Sequence, residues 1–185
     1  MAKNEVRIIG GKWRGRKLKF PDVPGLRPSQ DRARETLFNW LAPWIEGARV
    51  LDLFAGSGVL GFEAISRGAA TAELVDISKA TVVALEHSKG LLDASNAAVF
   101  RSDGIKHLQN REAPYDLIFV DPPFNKNLAK PALKAIIEQQ LLTQDGLIYL
   151  EQARRSDLAS DLPSGFSIYR DKAFGDSRAL LLEPE

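Results

Sequence analysis

The chain has 185 residues, 44% of them apolar and 26% charged, which fits one folded domain with its own core and excludes a disordered protein. It has no cysteine, and its two histidines, His87 and His107, lie far apart. Disulfides, thiolate catalysis and sulfur-ligated zinc are therefore excluded, and no metal is expected.

No apolar run approaches the roughly 20 residues that span a bilayer. The opening MAKNEVRIIGGKWRGR lacks the apolar stretch of a secretory signal. A cytoplasmic location without membrane contact is the expectation. Net charge is only +1, but residues 1–34 hold ten Lys/Arg against three Asp/Glu, while the remainder is acidic. That asymmetry points the basic end toward a polyanion.

In chain order, RIIGGKWRGRKLKF (7–20) reads as a small β-hairpin, its runs broken by Gly10, Gly11 and Gly15. Pro21, Pro24, Gly25 and Pro28 then mark a loop. Ser29 is a plausible N-cap, and Ala33, Leu37, Trp40, Leu41 and Trp44 recur at helical steps, so a helix is expected to reach 44. From 48 onward strands and helices alternate. Strands are expected at 48–54, 71–77, 97–103, 115–121 and 146–152, with helices at 59–68, 78–93, 104–110 and 128–141. Such alternation predicts a mostly parallel sheet covered on both faces and linked by right-handed crossovers. The tail, 165–184, reads as two strands turning at Gly175-Asp176, an antiparallel hairpin closing one sheet edge. By function the chain divides into a basic extension, 1–28, and a main α/β domain, 29–185.

Gly56-Ser57-Gly58-Val59-Leu60-Gly61 fits G-x-G-x-x-G between a strand and a helix. Glycines let backbone N–H groups approach a ligand, and the helix N-terminus favours negative charge. Asp76 ends the next strand, about 20 residues on, where an acid accepts ribose hydroxyls. Together these indicate an adenine nucleotide or nucleoside without choosing which. Asp52, inside the first strand of the repeat, suits a cationic ammonium or sulfonium better than a pyrophosphate, because like charges repel. Asp103 ends the third strand, where it either meets an adenine amino group or only terminates the strand.

Asp121-Pro122-Pro123-Phe124 ends the fourth strand of the alternation, at the carboxyl edge where such sheets bind ligands. The prolines stiffen the loop and donate no N–H. The Asp121 carboxylate and Pro122 carbonyl are thus able to accept both hydrogens of one NH2 group. An amino nitrogen on a purine is a poor nucleophile because its lone pair is delocalised. Two acceptors can rotate and pyramidalise it, and they bind more tightly as positive charge develops on nitrogen. Phe124 would stack on the base. The plain alternative is a proline turn that ends a strand.

Arg7, Lys12, Arg14, Arg16, Lys17 and Lys19 crowd the hairpin with Trp13 and Phe20 between them, and Arg27, Arg32 and Arg34 follow. Cations interleaved with aromatics suit phosphate contacts plus base stacking. The alternative is a solvated strand face whose Trp13 packs on the core.

LDLFAGSG (51–58), VDIS (75–78), RSDG (101–104) and DPPF (121–124) resemble, in that order, the motifs of class I amino-methyltransferases. RIIGGKWRGRKLKF and RPSQDRARETLFNWL are similar, more specifically, to the bacterial 16S ribosomal RNA guanine-N2 methyltransferases, the RsmD family. The resemblance implies a Rossmann-like sheet of seven strands with an antiparallel last strand. It implies S-adenosylmethionine held by Asp52, Phe54, Ala55, Gly56, Ser57 and Gly58, with Asp76 and Ile77 at the ribose and Asp103 and Gly104 near the adenine. It further implies Asp121, Pro122, Pro123 and Phe124 around a guanine amino group, and RNA on the head through Arg7, Lys12, Trp13, Arg14, Arg16, Lys17, Lys19, Arg27 and Arg32. The target implied is guanine 966 of 16S ribosomal RNA, offered as a small subunit or its assembly intermediate to a monomeric enzyme. Three other readings stay open: a DNA adenine-N6 methyltransferase, an NAD-dependent oxidoreductase favoured by Gly61, and a noncatalytic RNA-binding assembly factor.

Overall fold

The computed structural model describes residues 4–21, 31–123, 126–155 and 162–185. The expected N-cap Ser29, the loop prolines Pro24 and Pro28, and the candidate site residues Arg27 and Phe124 lie outside the described residues.

The hairpin forms from β1 (Glu5–Arg7) and β2 (Lys17–Lys19), paired antiparallel with Val6 opposite Leu18. A single 3-10 turn, Gly11–Trp13, occupies the connection. Then come α1 (Asp31–Leu41), β3 (Arg49–Asp52), α2 (Val59–Ser66), β4 (Thr71–Asp76), α3 (Lys79–Leu92), β5 (Ala97–Arg101), α4 (Gly104–Gln109), β6 (Tyr115–Val120), α5 (Ala129–Glu138), β7 (Leu142–Ala153), β8 (Phe166–Phe174) and β9 (Ser177–Pro184). The main sheet has the order β5-β4-β3-β6-β7-β9-β8. Its first five strands are parallel, and β9 inserts antiparallel between β7 and the edge strand β8. This is the expected seven-stranded sheet with an antiparallel last strand.

Strand order reverses between β3 and β6: one half of the sheet runs outward from β3 to β5, the other from β6 to the tail hairpin. Crossovers leave on opposite sides there and open a crevice at the carboxyl ends. On one face, Val50, Leu74, Phe119 and Tyr149 pack with Leu37 and Phe38 of α1, Phe62 of α2 and Leu85 of α3. On the other, Leu51, Val75, Ile118 and Ile148 pack with Leu108 of α4 and Leu133 and Ile136 of α5. The sheet therefore separates two apolar cores, and its alternating side chains decide which face each acid joins.

Two boundaries differ from the sequence expectation. Helix α1 stops at Leu41 rather than 44, because Pro43 has no N–H to donate and disfavours helical geometry in the residue before it. Trp44 instead turns edge-on to Tyr169, with ring centroids 5.6 Å apart. Strand β7 begins at Leu142, since Leu142 already pairs with Tyr115 before a register shift brings Leu147 opposite Leu117.

The hairpin is a separate sheet but shares the main core. Val6, Ile8, Trp13 and Leu18 are buried in the cluster that contains α1 and α2. Its connection is tied to α2 by hydrogen bonds: Ile9 N donates to Glu63 Oε2 at 2.9 Å, Trp13 N to Ser66 Oγ at 2.9 Å, and Ser66 Oγ to the Gly10 carbonyl at 2.7 Å. The fully buried Arg34 of α1 donates to the Arg7 carbonyl at 2.8 Å and to Glu63 Oε2 at 3.4 Å. Gly11 closes against the Ser66 carbonyl, where a Cβ would sit 1.8 Å away.

Candidate active site at the carboxyl edge of the sheet

The glycine turn is held from below by two acids. Asp52, 2% exposed, ends β3 and accepts from the Gly61 amide at 3.0 Å. Asp76 ends β4; its Oδ2 accepts from Gly56 N at 3.1 Å and its Oδ1 from Ser78 N at 2.8 Å. Gly56 and Gly58 turn the chain with φ of 52° and 75°, a region that costs a side-chain-bearing residue strain. Gly58 also lies where a Cβ would meet Leu85 Cδ2 at 2.4 Å. Gly61 lies against β3 and β4. A Cβ there would meet Leu74 Cγ at 3.0 Å and Asp52 Oδ2 at 3.3 Å, so this glycine serves helix–strand packing. The third glycine that favoured a dinucleotide is thereby explained by the fold.

Of the other residues named for the cofactor, Ala55 and Ser57 are buried in the turn, and the half-buried Phe54 covers Gly104. Ile77 is 63% exposed beside Asp76, an apolar side chain presented at the mouth of the crevice. Asp103 caps α4 through Oδ1, which accepts from Lys106 N at 3.1 Å. Its other oxygen accepts nothing among the described residues.

Asp121 follows β6 on the same face as Phe119, next to the end of β3; Asp52 pairs with Phe119 in register. Pro122 is buried and Pro123 half-buried. No described residue donates a hydrogen bond to the Asp121 carboxylate. Burial pushes its pKa well above the usual carboxylate range, and the charges of Glu151 and Asp52 push it further. Burial likewise raises Asp52 to about 7, against the Gly61 hydrogen bond and with help from Asp76. Asp76 is raised by burial too, opposed by its hydrogen bonds from Ser78 and Gly56 and by the Lys126 ammonium.

Glu151 escaped the sequence reading. It lies one residue past the Val120–Leu150 pairing, so β7 sets it alongside Asp121 on the same face. It is 8% exposed and accepts from Tyr149 Oη at 2.9 Å. The available sequence signal is the acid-amide pair Glu151-Gln152 closing the apolar run Leu147–Leu150.

Asp76, Asp52, Asp121 and Glu151 thus form a row along one sheet face, and the Lys126 ammonium offsets the charge of Asp76 in it. Among the described residues no cation offsets Asp52 or Asp121 in this way, and a ligand carrying an ammonium and a sulfonium fits that lack. The glycine turn and Ile77 fit the nucleoside part of such a ligand. Among the described residues, no three His, Cys, Asp or Glu side chains group to hold a metal ion. A surface hollow of about 500 Å3, lined by Trp44, Glu46, Asp116, Thr143 and Asp145, opens at the other end of the strands and includes none of these acids.

On the head, Lys12, Arg14, Arg16, Lys17, Lys19 and Arg32 are exposed. Arg7 pairs with Asp31 at 3.5 Å, Lys17 with Glu5 at 3.4 Å, and Arg16 donates to the Leu91 carbonyl at 2.6 Å. Trp13 is placed otherwise than a stacking platform requires. It is 9% exposed and packed into the core, with the Lys12 ammonium 4.4 Å from its ring centroid. Its apolar area is spent on docking the hairpin, so the packing alternative holds for this side chain.

Residues 6–183 match the protein family described as Conserved hypothetical protein 95. The ribosomal RNA small subunit methyltransferase D of Escherichia coli is 44% identical over 181 residues, spanning 98% of this chain and 91% of the relative. The chain belongs to this family of methyltransferases. A solved structure of a putative methyltransferase from Escherichia coli superposes with a TM-score of 0.87 at 42% identity, covering 98% of both chains. A putative methylase from Haemophilus influenzae gives 0.83 at 36% identity, covering 97% of this chain and 98% of the other. The methyltransferase family and the Rossmann-like fold agree with the row of acids at the switch point. No helix among the described residues is long and apolar enough to cross a membrane.

Proposed function

We propose that this methyltransferase moves a methyl group from S-adenosylmethionine to the exocyclic N2 amino group of a guanine in 16S ribosomal RNA. The observation that carries the reading is Asp121: a half-buried carboxylate with no donor of its own among the described residues, fixed beside Asp52 at the switch point and followed by two prolines. The ribosomal RNA substrate rests on the small subunit methyltransferases that the chain is similar to; guanine 966 as the target rests on the resemblance of the motifs alone.

Asp52 and the glycine turn would hold the amino-acid end of the cofactor, Asp76 the ribose, and Asp103 with Gly104 the adenine. When bound, that group supplies a methyl on a positively charged sulfur. The Asp121 carboxylate and the Pro122 carbonyl accept the two amine hydrogens of the base and turn the nitrogen lone pair toward that methyl. Positive charge developing on nitrogen strengthens both contacts in the transition state. Burial and the neighbouring acids raise the proton affinity of Asp121, which helps its carboxylate take the proton that the methylated nitrogen sheds. The exposed cations of the head suit the phosphate backbone. Phe124 would stack on the base. With ribosomal RNA as substrate, the enzyme works as a monomer in the cytoplasm, and its partner is an assembling or assembled small subunit.

The test supplies labelled cofactor with naked ribosomal RNA, undermethylated small subunits and DNA. Guanine-N2 methylation in either ribosomal substrate supports the proposal. Transfer to DNA alone ends it, and RNA binding without cofactor binding or transfer makes the chain a noncatalytic assembly factor.

A further inference from the structure

We infer that Glu151 is the residue that selects guanine, by accepting the N1–H of the base while Asp121 and Pro122 hold its amine. This rests on the proposed guanine-N2 reading and extends it from the reaction to the choice of base.

The argument begins with sheet register. Val120 pairs with Leu150, so the residues that follow them on β6 and β7, Asp121 and Glu151, are set side by side. Both share the face of Phe119 and Tyr149. A base whose amine is held at Asp121 must therefore present the rest of one edge toward β7 or toward β3. On the β3 side, Asp52 is sealed and already bound to the Gly61 amide. On the β7 side stands Glu151.

The carboxylate of Glu151 is partly committed. Tyr149 Oη donates to Oε2 at 2.9 Å and fixes the group, while Oε1 has no hydrogen-bond partner among the described residues. A fixed carboxylate with one idle oxygen can only accept. The chemistry of the bases then decides between them. In guanine, the amine at C2 adjoins N1–H, so two neighbouring groups on one edge are donors. In adenine, the amine at C6 adjoins a bare N1 lone pair. Two adjacent carboxylates complement the first edge and repel the second. The arrangement thus explains, from within the pocket, why an Asp-Pro-Pro turn that serves either amine would here serve guanine.

The experiment compares guanine with 2-aminopurine at the target position of synthetic ribosomal RNA. The analogue keeps the C2 amine but carries a lone pair in place of N1–H. The wild-type chain is expected to methylate guanine with a kcat/KM at least about tenfold higher, since a site built to pair a donor rejects the analogue lacking it. Glu151→Gln replaces the fixed acceptor with an amide that can also donate. It is expected to lose rate on guanine, gain on 2-aminopurine and shrink the ratio at least about tenfold, while affinity for S-adenosylhomocysteine stays within about threefold. Equal rates on both bases by the wild-type chain, or a ratio unmoved by E151Q, overturns the inference and leaves the guanine-N2 reading standing. If the wild-type chain transfers no methyl to guanine in any ribosomal substrate, that reading falls and takes this one with it.

Discussion

Asp52 Oδ2 accepts the Gly61 amide at 3.0 Å, so the last carboxylate of β3 is tied to the first turn of α2 and aimed beneath the glycine loop. A side chain sealed to 2% exposure and raised to about 7 is held at a cost to the fold.

That cost has a sign. The folded pKa of Asp52 lies above its ordinary value of 3.8, so the folded protein binds this proton more tightly than the unfolded chain does. The stability contribution is fully present below the ordinary value and is lost as pH rises to about 7, amounting to about 4 kcal/mol at most. Asp52→Asn keeps an acceptor for Gly61 without the charge. It should raise the melting temperature at pH 8 by several degrees and weaken S-adenosylmethionine by about tenfold or more. Scanning calorimetry and titration calorimetry read the two effects; unchanged cofactor affinity would remove Asp52 from the site.

Asp121→Ala should cost about 10²–10³ in methyl transfer while S-adenosylhomocysteine binds within a few-fold of wild type. Asp76→Ala should weaken the cofactor first. On the proposed reading the carboxylate form of Asp121 does the accepting, and its pKa is raised, so kcat/KM should rise with pH as that proton leaves. A pH profile of Asp121→Asn that keeps the same limb would assign the titration to another group.

Arg14, Arg16 and Lys17 replaced together by Ala should reduce RNA affinity and flatten its dependence on salt by about 0.7–0.9 in slope for each phosphate no longer neutralised. Filter binding across a salt series measures this. Lys17 already pairs with Glu5 and Arg16 with the Leu91 carbonyl, so Arg14 should carry the largest share among single variants.

Glu63→Ala should destabilise the fold by about 3–5 kcal/mol. It removes the acceptor of Ile9 N and one of the two carboxylates paired with the buried Arg34, which keeps Asp31 at 2.5 Å, and it takes the partner of Arg67 as well. Urea unfolding gives the loss, and cleavage within residues 8–16 under limited proteolysis should appear before global unfolding.

The alternation of strands and helices was legible because each element is amphipathic or buried on its own period, and the motifs sat at strand ends where neighbours in sequence settle their position. The glycine turn and the Asp121 turn were therefore placed at the ends of β3 and β6, where the structure has them. Gly61 could not choose between the readings, since a third glycine that packs the helix on Leu74 is needed whichever nucleoside ligand the turn takes. Glu151 was missed because its meaning comes from the crossover that puts β7 beside β6, about thirty residues away in sequence from Asp121. Trp13 read as a possible stacking surface because local composition cannot show that Ser66 and Glu63 draw its segment onto α2.

On the proposed reading, the attachment of the hairpin to α2 bears on how one nucleotide is picked out of a ribosomal substrate. The segment that presents Lys12, Arg14 and Arg16 is bolted to the same helix whose amino end borders the glycine loop. Grip and blade are then one solid piece, as in a caliper locked at a single opening. On the proposed reading, a nucleotide is chosen by its span from a backbone phosphate, and folded RNA that holds this span needs no sequence-reading domain to be recognised.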